Sequence, residues 1–211
     1  MDSFRRQKIN NLIYTSRKFI KGDVLDIGGT KNTKKIIYHI IKKKVNIINL
    51  NKFKKQKPDI LADFENYKNY RRKFDTIISF ELLEYLEEPN QFFIKCKKIL
   101  KKNGYLLFST PFLNPIHGDK LDNYRITKKK LLDLIKKKDF KIINFYNIGS
   151  IGTVINDILR ASLGYASKSG PTSFRNFFLY ILIWFFKTLD ILTKEQSEYI
   201  NSGYFIILKK K

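Results

Sequence analysis

The sequence predicts an α/β domain, on three observations. An apolar run, Val24-Leu25-Asp26-Ile27, breaks into adjacent glycines, Gly28 and Gly29, and a helical segment follows from about Thr33. Further strand-like runs then alternate with helix-like segments as far as Ile148. A strand, a tight glycine turn and a helix N-terminus together form a nucleotide-binding edge, because the missing side chains let backbone approach a ligand.

The elements follow in order. Met1 to Lys21 reads as a capping helix (1–22) with Phe4, Ile9, Leu12, Ile13 and Phe19 on its apolar face, and it lacks the long apolar core of a signal peptide. A helix from Thr33 to Lys43 leads to a second strand, Val45 to Asn51, whose polar end lies about 20 residues past the glycines, where a ribose-binding residue is expected. Lys57 to Phe64 reads as a short strand ending in Asp63, and Phe74 to Phe80 as a buried strand running into Glu81-Leu82-Leu83-Glu84-Tyr85. A helix from Asn90 to Lys101 is expected to stop at Asn103-Gly104, before a strand from Tyr105 that Pro111 closes. Thr127 to Lys138 reads as a helix and Phe140 to Ile148 as a strand, completing a core over 23–148. An insertion, 149–202, precedes a final strand at 203–211.

Five of these segments, in this order, resemble class I S-adenosylmethionine-dependent methyltransferases. They are VLDIGG (Val24 to Gly29), KPDILADF (Lys57 to Phe64), FDTIISFELLEYLEEP (Phe74 to Pro89), LKKNGYLLFSTPF (Leu100 to Phe112) and HGDKLDNYRIT (His117 to Thr127). Within that family the chain resembles the small bacterial type-11-like enzymes found with sugar and cell-surface biosynthesis. The resemblance implies a Rossmann-like, mainly parallel seven-stranded sheet with helices on both faces, a reversed last strand and a helical insertion before it. It also implies roles. Asp26, Gly28 and Gly29 would line the methionine end of S-adenosyl-L-methionine, Asp63 would lie near the adenine amine, and Phe80 and Glu81 would border the methyl-donor sulfur. Asn51 falls where the family has an acid that chelates the ribose hydroxyls. An amide lacks charge assistance there, so Asp in its place is expected to keep or tighten binding. Tyr85, where His is common, would face the acceptor. Thr30, Lys31 and Asn32 replace a further glycine of the turn.

The loop after Pro111 is expected at the ligand end of the sheet. Methyl transfer is a displacement at carbon that needs a base only for a poor nucleophile such as a hydroxyl. His117 could take that proton, Asp122 could orient His117 or act as the base, and Tyr124 and Arg125 could hold a polar or anionic acceptor group. The alternative is an ordinary loop in which Asp122 and Arg125 pair structurally. The crowding of Glu81, Glu84, Glu87 and Glu88 at one strand end argues against glycosidase chemistry.

Composition bounds the partners. A chain of 211 residues with 43% hydrophobic content suits one domain. The net charge of +23 comes from lysines spread along the whole chain, in 42–44, 128–130, 136–138 and 209–211, rather than in one stripe with interleaved aromatics. That spread reads as composition and weighs against nucleic acid, while still permitting adhesion to anionic lipid. Cys96 is the only cysteine and suits a reducing cytoplasm, and His39 and His117 give no metal-ligand spacing.

The insertion carries two expected helices. Gly152 to Ser162 has Val154, Ile155, Ile158 and Leu159 on one side. After a break at Ser167 to Ser173, Asn176 to Phe186 is hydrophobic all round, flanked by Arg175 and Lys187, and too short to span a bilayer. It is expected at a peripheral contact with the inner face of a membrane, in a buried lid, or at an oligomer contact.

The predicted function is O-methylation of a small molecule, sugar or lipid-linked glycan precursor. A degenerate, non-catalytic binding protein and an RNA methyltransferase are the rivals. A dinucleotide-dependent oxidoreductase is disfavoured because G-x-G-x-x-G is absent.

Overall fold

Hydrophobic alternation divides the strands between two helical layers. The computed structural model describes residues 3–42, 44–116, 122–162 and 173–211, with side chains beyond the 163–172 gap described from residue 182. The elements are α1 (Phe4–Thr15), β1 (Asp23–Ile27), α2 (Lys31–Ile41), β2 (Asn46–Asn51), β3 (Ile60–Leu61), β4 (Phe74–Phe80), α3 (Pro89–Ile99), β5 (Leu100–Pro111), α4 (Lys128–Lys136), β6 (Phe140–Ile148), α5 (Ile151–Ser162), α6 (Ser173–Leu192) and β7 (Gly203–Lys210). On one face Leu25, Ile27, Ile77 and Phe108 pack with Phe92 and Phe93 of α3 and with Leu131 of α4. On the other, Val24, Ile78, Leu107 and Phe205 pack with Ile9 and Ile13 of α1 and Ile37 of α2.

The sheet runs β3-β2-β1-β4-β5-β7-β6. The pairs β2–β3, β1–β2, β1–β4 and β4–β5 are parallel, and β7 lies antiparallel between β5 and β6. The expected mainly parallel sheet with a reversed last strand is therefore present. Strand order reverses between β1 and β4, and their C-terminal ends open the crevice where such sheets hold ligands.

Two local expectations change. The third strand is only Ile60–Leu61. The helix before β5 ends at Ile99, and Asn103-Gly104 is a bulge inside the strand rather than a helix stop. Asn103 takes φ 61°. The β4–β5 register jumps from Phe74↔Leu100 to Thr76↔Tyr105, and a Cβ on Gly104 would lie 3.0 Å from the Asp75 carbonyl.

In the insertion, α5 turns its polar side inward. Gly152, Thr153, Asn156 and Asp157 are buried, while Ile155 and Ile158 are exposed. Gly152 lets α6 pass close, since a Cβ there would lie 2.1 Å from the Phe186 carbonyl. Asp190 of α6 then caps α5 from outside, accepting from the backbone N–H groups of Ser150 and Thr153 at 3.1 and 2.8 Å. Hydrogen bonds of Thr153 and Asp157 thus hold the polar face inside, while Asn156 Oδ1 has no partner among the described residues. The expected break at Ser167 to Ser173 falls up to residue 172 outside the described residues.

Candidate active site

The glycine turn is built by its neighbours in sequence and space. Thr30 ends it by capping α2: its hydroxyl accepts from Thr33 N at 3.0 Å, and the Thr33 hydroxyl accepts from Thr30 N at 2.6 Å. Gly28 sits at φ 80°, and its N–H donates to Leu50 O at 2.8 Å. Gly29 covers Asp26 so closely that a Cβ would lie 2.0 Å from Asp26 Oδ2. Asp26 is itself buried, and Oδ2 has no hydrogen-bond partner among the described residues. Burial pushes its pKa up to about 7, against the opposing pull of Thr33 and Lys34.

Three cavities meet at Gly28. The first, of about 170 Å³, has apolar walls from Ile27, Leu50 and Leu86, with Asp63 and Phe53 at its edge. The second, of about 250 Å³, holds Asp26 and Gly29 opposite Arg6 and Asn10 of α1. The third, of about 770 Å³, extends past Phe80, Glu81 and Tyr85 to Asn114, Asp157 and Arg160. Asp26, Gly28, Gly29, Asn51, Asp63, Phe80, Glu81 and Tyr85 therefore all line these three cavities.

Their chemistry is not uniform. Asn51 is buried with its polar atoms engaged: Nδ2 donates to Gly28 O at 2.9 Å and Gly29 O at 3.2 Å, and Oδ1 accepts from Phe53 N at 2.9 Å. Asp63 Oδ1 accepts from Glu65 N at 2.9 Å. Phe80 stacks on Phe205, ring centroids 5.6 Å apart. Glu81 takes φ 56° at the end of β4, a strained turn for a non-glycine residue, held by its N–H to Ser109 O at 3.1 Å. Burial alone would raise the Glu81 pKa, but the Arg5 guanidinium, bonded to both carboxylate oxygens, holds it below the usual range. Ser109 Oγ adds a bond of 2.6 Å. Glu84 lies in a short 3-10 turn just past Glu81. It is fully buried with neither carboxyl oxygen partnered among the described residues, and burial together with the Glu81 charge pushes its pKa up to about 8.

Beyond β5 the paired reading of the loop is the one observed. Arg125 donates in bidentate fashion to Asp122, whose side chain is wholly buried. Its remaining N–H groups go to the carbonyls of Asn114, Pro115 and Tyr124 at 3.1, 3.2 and 2.9 Å. All five guanidinium donors are thus used in holding the loop. The Tyr124 hydroxyl donates to Glu87 O at 2.8 Å, on the protein surface. His117 lies outside the described residues.

Among the cavity residues not singled out from sequence are the charged groups of Arg5, Arg6, Asp157 and Arg160. Arg5 and Arg6 carried a signal, because α1 opens with two cations and no acid where the helix dipole favours acids. Asp157 and Arg160 lie in an insertion helix whose buried face only the fold reveals. Burial raises Asp157, moderated by bonds from Ser202 and Asn114, both 2.9 Å.

The site fits S-adenosylmethionine on its own evidence. An orphaned buried carboxylate oxygen beneath the turn suits an ammonium group, an apolar slot edged by Asp63 suits an adenine, and Gly28 leaves the junction clear.

Solved structures agree on the fold. The cyclase SpnF aligns with TM-score 0.64 and 13% identity over 96% of this chain and 80% of its own. A SAM-dependent methyltransferase from Archaeoglobus fulgidus aligns with TM-score 0.61 and 14% identity, covering 99% and 95%. An O-methyltransferase of a Brevibacillus brevis polyketide synthase, in complex with S-adenosyl-L-homocysteine, aligns with TM-score 0.62 and 13% identity, covering 97% and 75%. No curated protein sequence matches. A family model described as a methyltransferase domain matches residues 3–154, most of the chain and all of the cavity-forming elements through the first turn of α5, and the chain belongs to that methyltransferase family.

Proposed function

We propose that the protein transfers a methyl group from S-adenosylmethionine to a hydroxyl of a small molecule, sugar or lipid-linked glycan precursor. The observation that carries this reading is that the adenine-sized apolar slot and a polar space of about 770 Å³ share Gly28, Glu81 and Tyr85 in their walls. When bound, S-adenosylmethionine supplies a methyl made electrophilic by its sulfonium. The chain's own residues orient and enclose. Asp26 would accept from the ammonium group, the apolar slot would exclude water from the adenine, and the Arg5–Glu81 pair fixes the wall that the slot and the polar space share. Arg6 and Arg160 on the acceptor wall suit an acceptor that carries phosphate.

The same reading places the protein at a membrane surface. Ile155 and Ile158 of α5 and Trp184, Phe185, Ile191 and Leu192 of α6 are exposed, with Trp184 70% accessible. Lys187 and Lys194 are exposed on the same stretch of chain, with the Lys187 ammonium over the Phe4 ring. Such a face suits the headgroup boundary of an anionic bilayer. Among the described residues no helix is long and apolar enough to cross one.

A non-catalytic binding role is the second reading, favoured by Glu81 being tied to Arg5 and Asn51 to the turn. Calorimetry decides the first point. The wild type is expected to bind S-adenosylmethionine at one site. Gly28→Val should abolish binding, since φ 80° strains a β-branched residue and its Cβ would meet Leu82 at 3.0 Å. Labelled methyl recovered as an ether supports the hydroxyl acceptor. Recovery on nitrogen moves the acceptor to an amine, and binding without transfer to any acceptor supports the second reading.

A further inference from the structure

We infer that Asn51 is a positioning residue that braces the glycine turn from below, and that it does not serve as a ligand for the cofactor's ribose. This rests on the reading of that turn as the cofactor's seat. Nδ2 places its two hydrogens on the carbonyls of Gly28, at 2.9 Å, and Gly29, at 3.2 Å. Oδ1 accepts from Phe53 N at 2.9 Å. The orientation of the amide is forced, because carbonyls only accept and a backbone N–H only donates. With Gly28 N bonded to Leu50 O, the turn is tied to the end of β2 by three hydrogen bonds.

That geometry has a consequence opposite to the sequence-based expectation for Asp at this position. Bracing requires a donor facing two carbonyls and an acceptor facing an N–H, and an amide supplies both. A carboxylate supplies no donor and would bring negative charge against the negative ends of two carbonyl dipoles in a buried place. The residue that suits a ribose is thus the one that breaks this turn. Asn51 and the glycine turn form a unit in which the family's acid has no place.

The test compares wild type, Asn51→Ala and Asn51→Asp by calorimetry with S-adenosylhomocysteine at pH 8 and pH 5.5, with thermal melts of the cofactor-free proteins. At pH 8 the expected order of affinity is wild type, then Ala, then Asp, with Asp weaker than Ala by about tenfold (~1.4 kcal/mol). At pH 5.5 the Asp variant is expected to match or pass Ala, because a protonated carboxyl regains one donor. Asp26 titrates beneath the turn, and Lys52, Asp63 and Glu81 border the same cavity. All are common to both variants, so the Asp-to-Ala ratio at each pH removes their effect. The melts are expected in the same order. An Asp variant that binds as well as or better than wild type, or an Ala variant that melts and binds like wild type, overturns the inference. Should Asn51→Asp not fold, the melt of Asn51→Ala carries the test: a lowered midpoint supports the brace, and an unchanged one overturns it. Absence of binding by the wild type would fail the cofactor reading instead, and the melts would still report on the brace.

Discussion

Arg5, in the first turn of α1, grips both carboxylate oxygens of Glu81 at the end of β4, 76 residues away in sequence. The two side chains are 6% and 11% exposed. Arg5 Nε also reaches Ser202 O at 3.4 Å, so one guanidinium joins the N-terminal helix to both sides of the crevice. The N-terminal helix is therefore a wall of the candidate active site as well as a cap on the sheet.

Arg5→Ala should destabilise the protein by about 3–5 kcal/mol, because it leaves a buried carboxylate unpaired. Glu81 has a lowered pKa, so in the wild type its contribution is present above the ordinary value of 4.5 and is lost as pH falls through the lower folded value. The penalty of Arg5→Ala should accordingly shrink as pH falls, because Glu81, buried without its guanidinium in the variant, can take up a proton. Adding Glu81→Gln to Arg5→Ala should recover part of the loss at pH 7. Urea titrations across this range check both statements. A penalty independent of pH would mean that the charge of Glu81 is not what Arg5 balances.

Asp26→Asn should make the cofactor-free protein more stable at pH 8 and less able to bind. Asp26 has a raised pKa, so its stabilising share is complete below 3.8 and is lost as pH rises through about 7. An amide removes that loss, and the gain should vanish near pH 4. S-adenosylmethionine affinity should fall tenfold or more, a loss of at least ~1.4 kcal/mol, for want of a charged partner to its ammonium. Wild-type affinity should likewise decline as pH drops below about 7. Lower stability of the variant at pH 8 would show that the Asp26 charge already has a partner.

Replacing Trp184 and Phe185 by Ser should release the protein from anionic vesicles while leaving its melting temperature nearly unchanged, since both side chains are mainly exposed. High salt should weaken cosedimentation without removing it, because only the attraction of the basic residues is screened. A large loss of thermal stability would place these side chains in a contact between copies of the chain. Vesicle binding that survives the double substitution would assign the attraction to net charge alone.

The sequence is most legible where one residue type answers one local demand. The glycines after Ile27, the strand-length apolar runs and the Thr127 cap each follow from backbone rules that act over a few residues. Pairings between distant segments follow no such rule. The sequence placed Asn51 at the right strand end, but an amide that binds hydroxyls and one that binds two carbonyls look the same until the turn is folded over it. Asp122 and Arg125 were expected to serve an acceptor, with their mutual pairing as the alternative, and only the loop's path decided that every guanidinium donor of Arg125 would bond within it.

By itself, then, the sequence determined the alternation of strands and helices, the glycine turn and the family, because periodicity and turn chemistry are local properties written residue by residue. The tertiary structure alone decided which charges are compensated. Arg5 on Glu81, Asp190 on the start of α5, and the bare Oδ2 of Asp26 depend on which groups burial brings within bonding distance. In a desolvated interior that distance decides whether a carboxylate is a brace, a cap or a binding site.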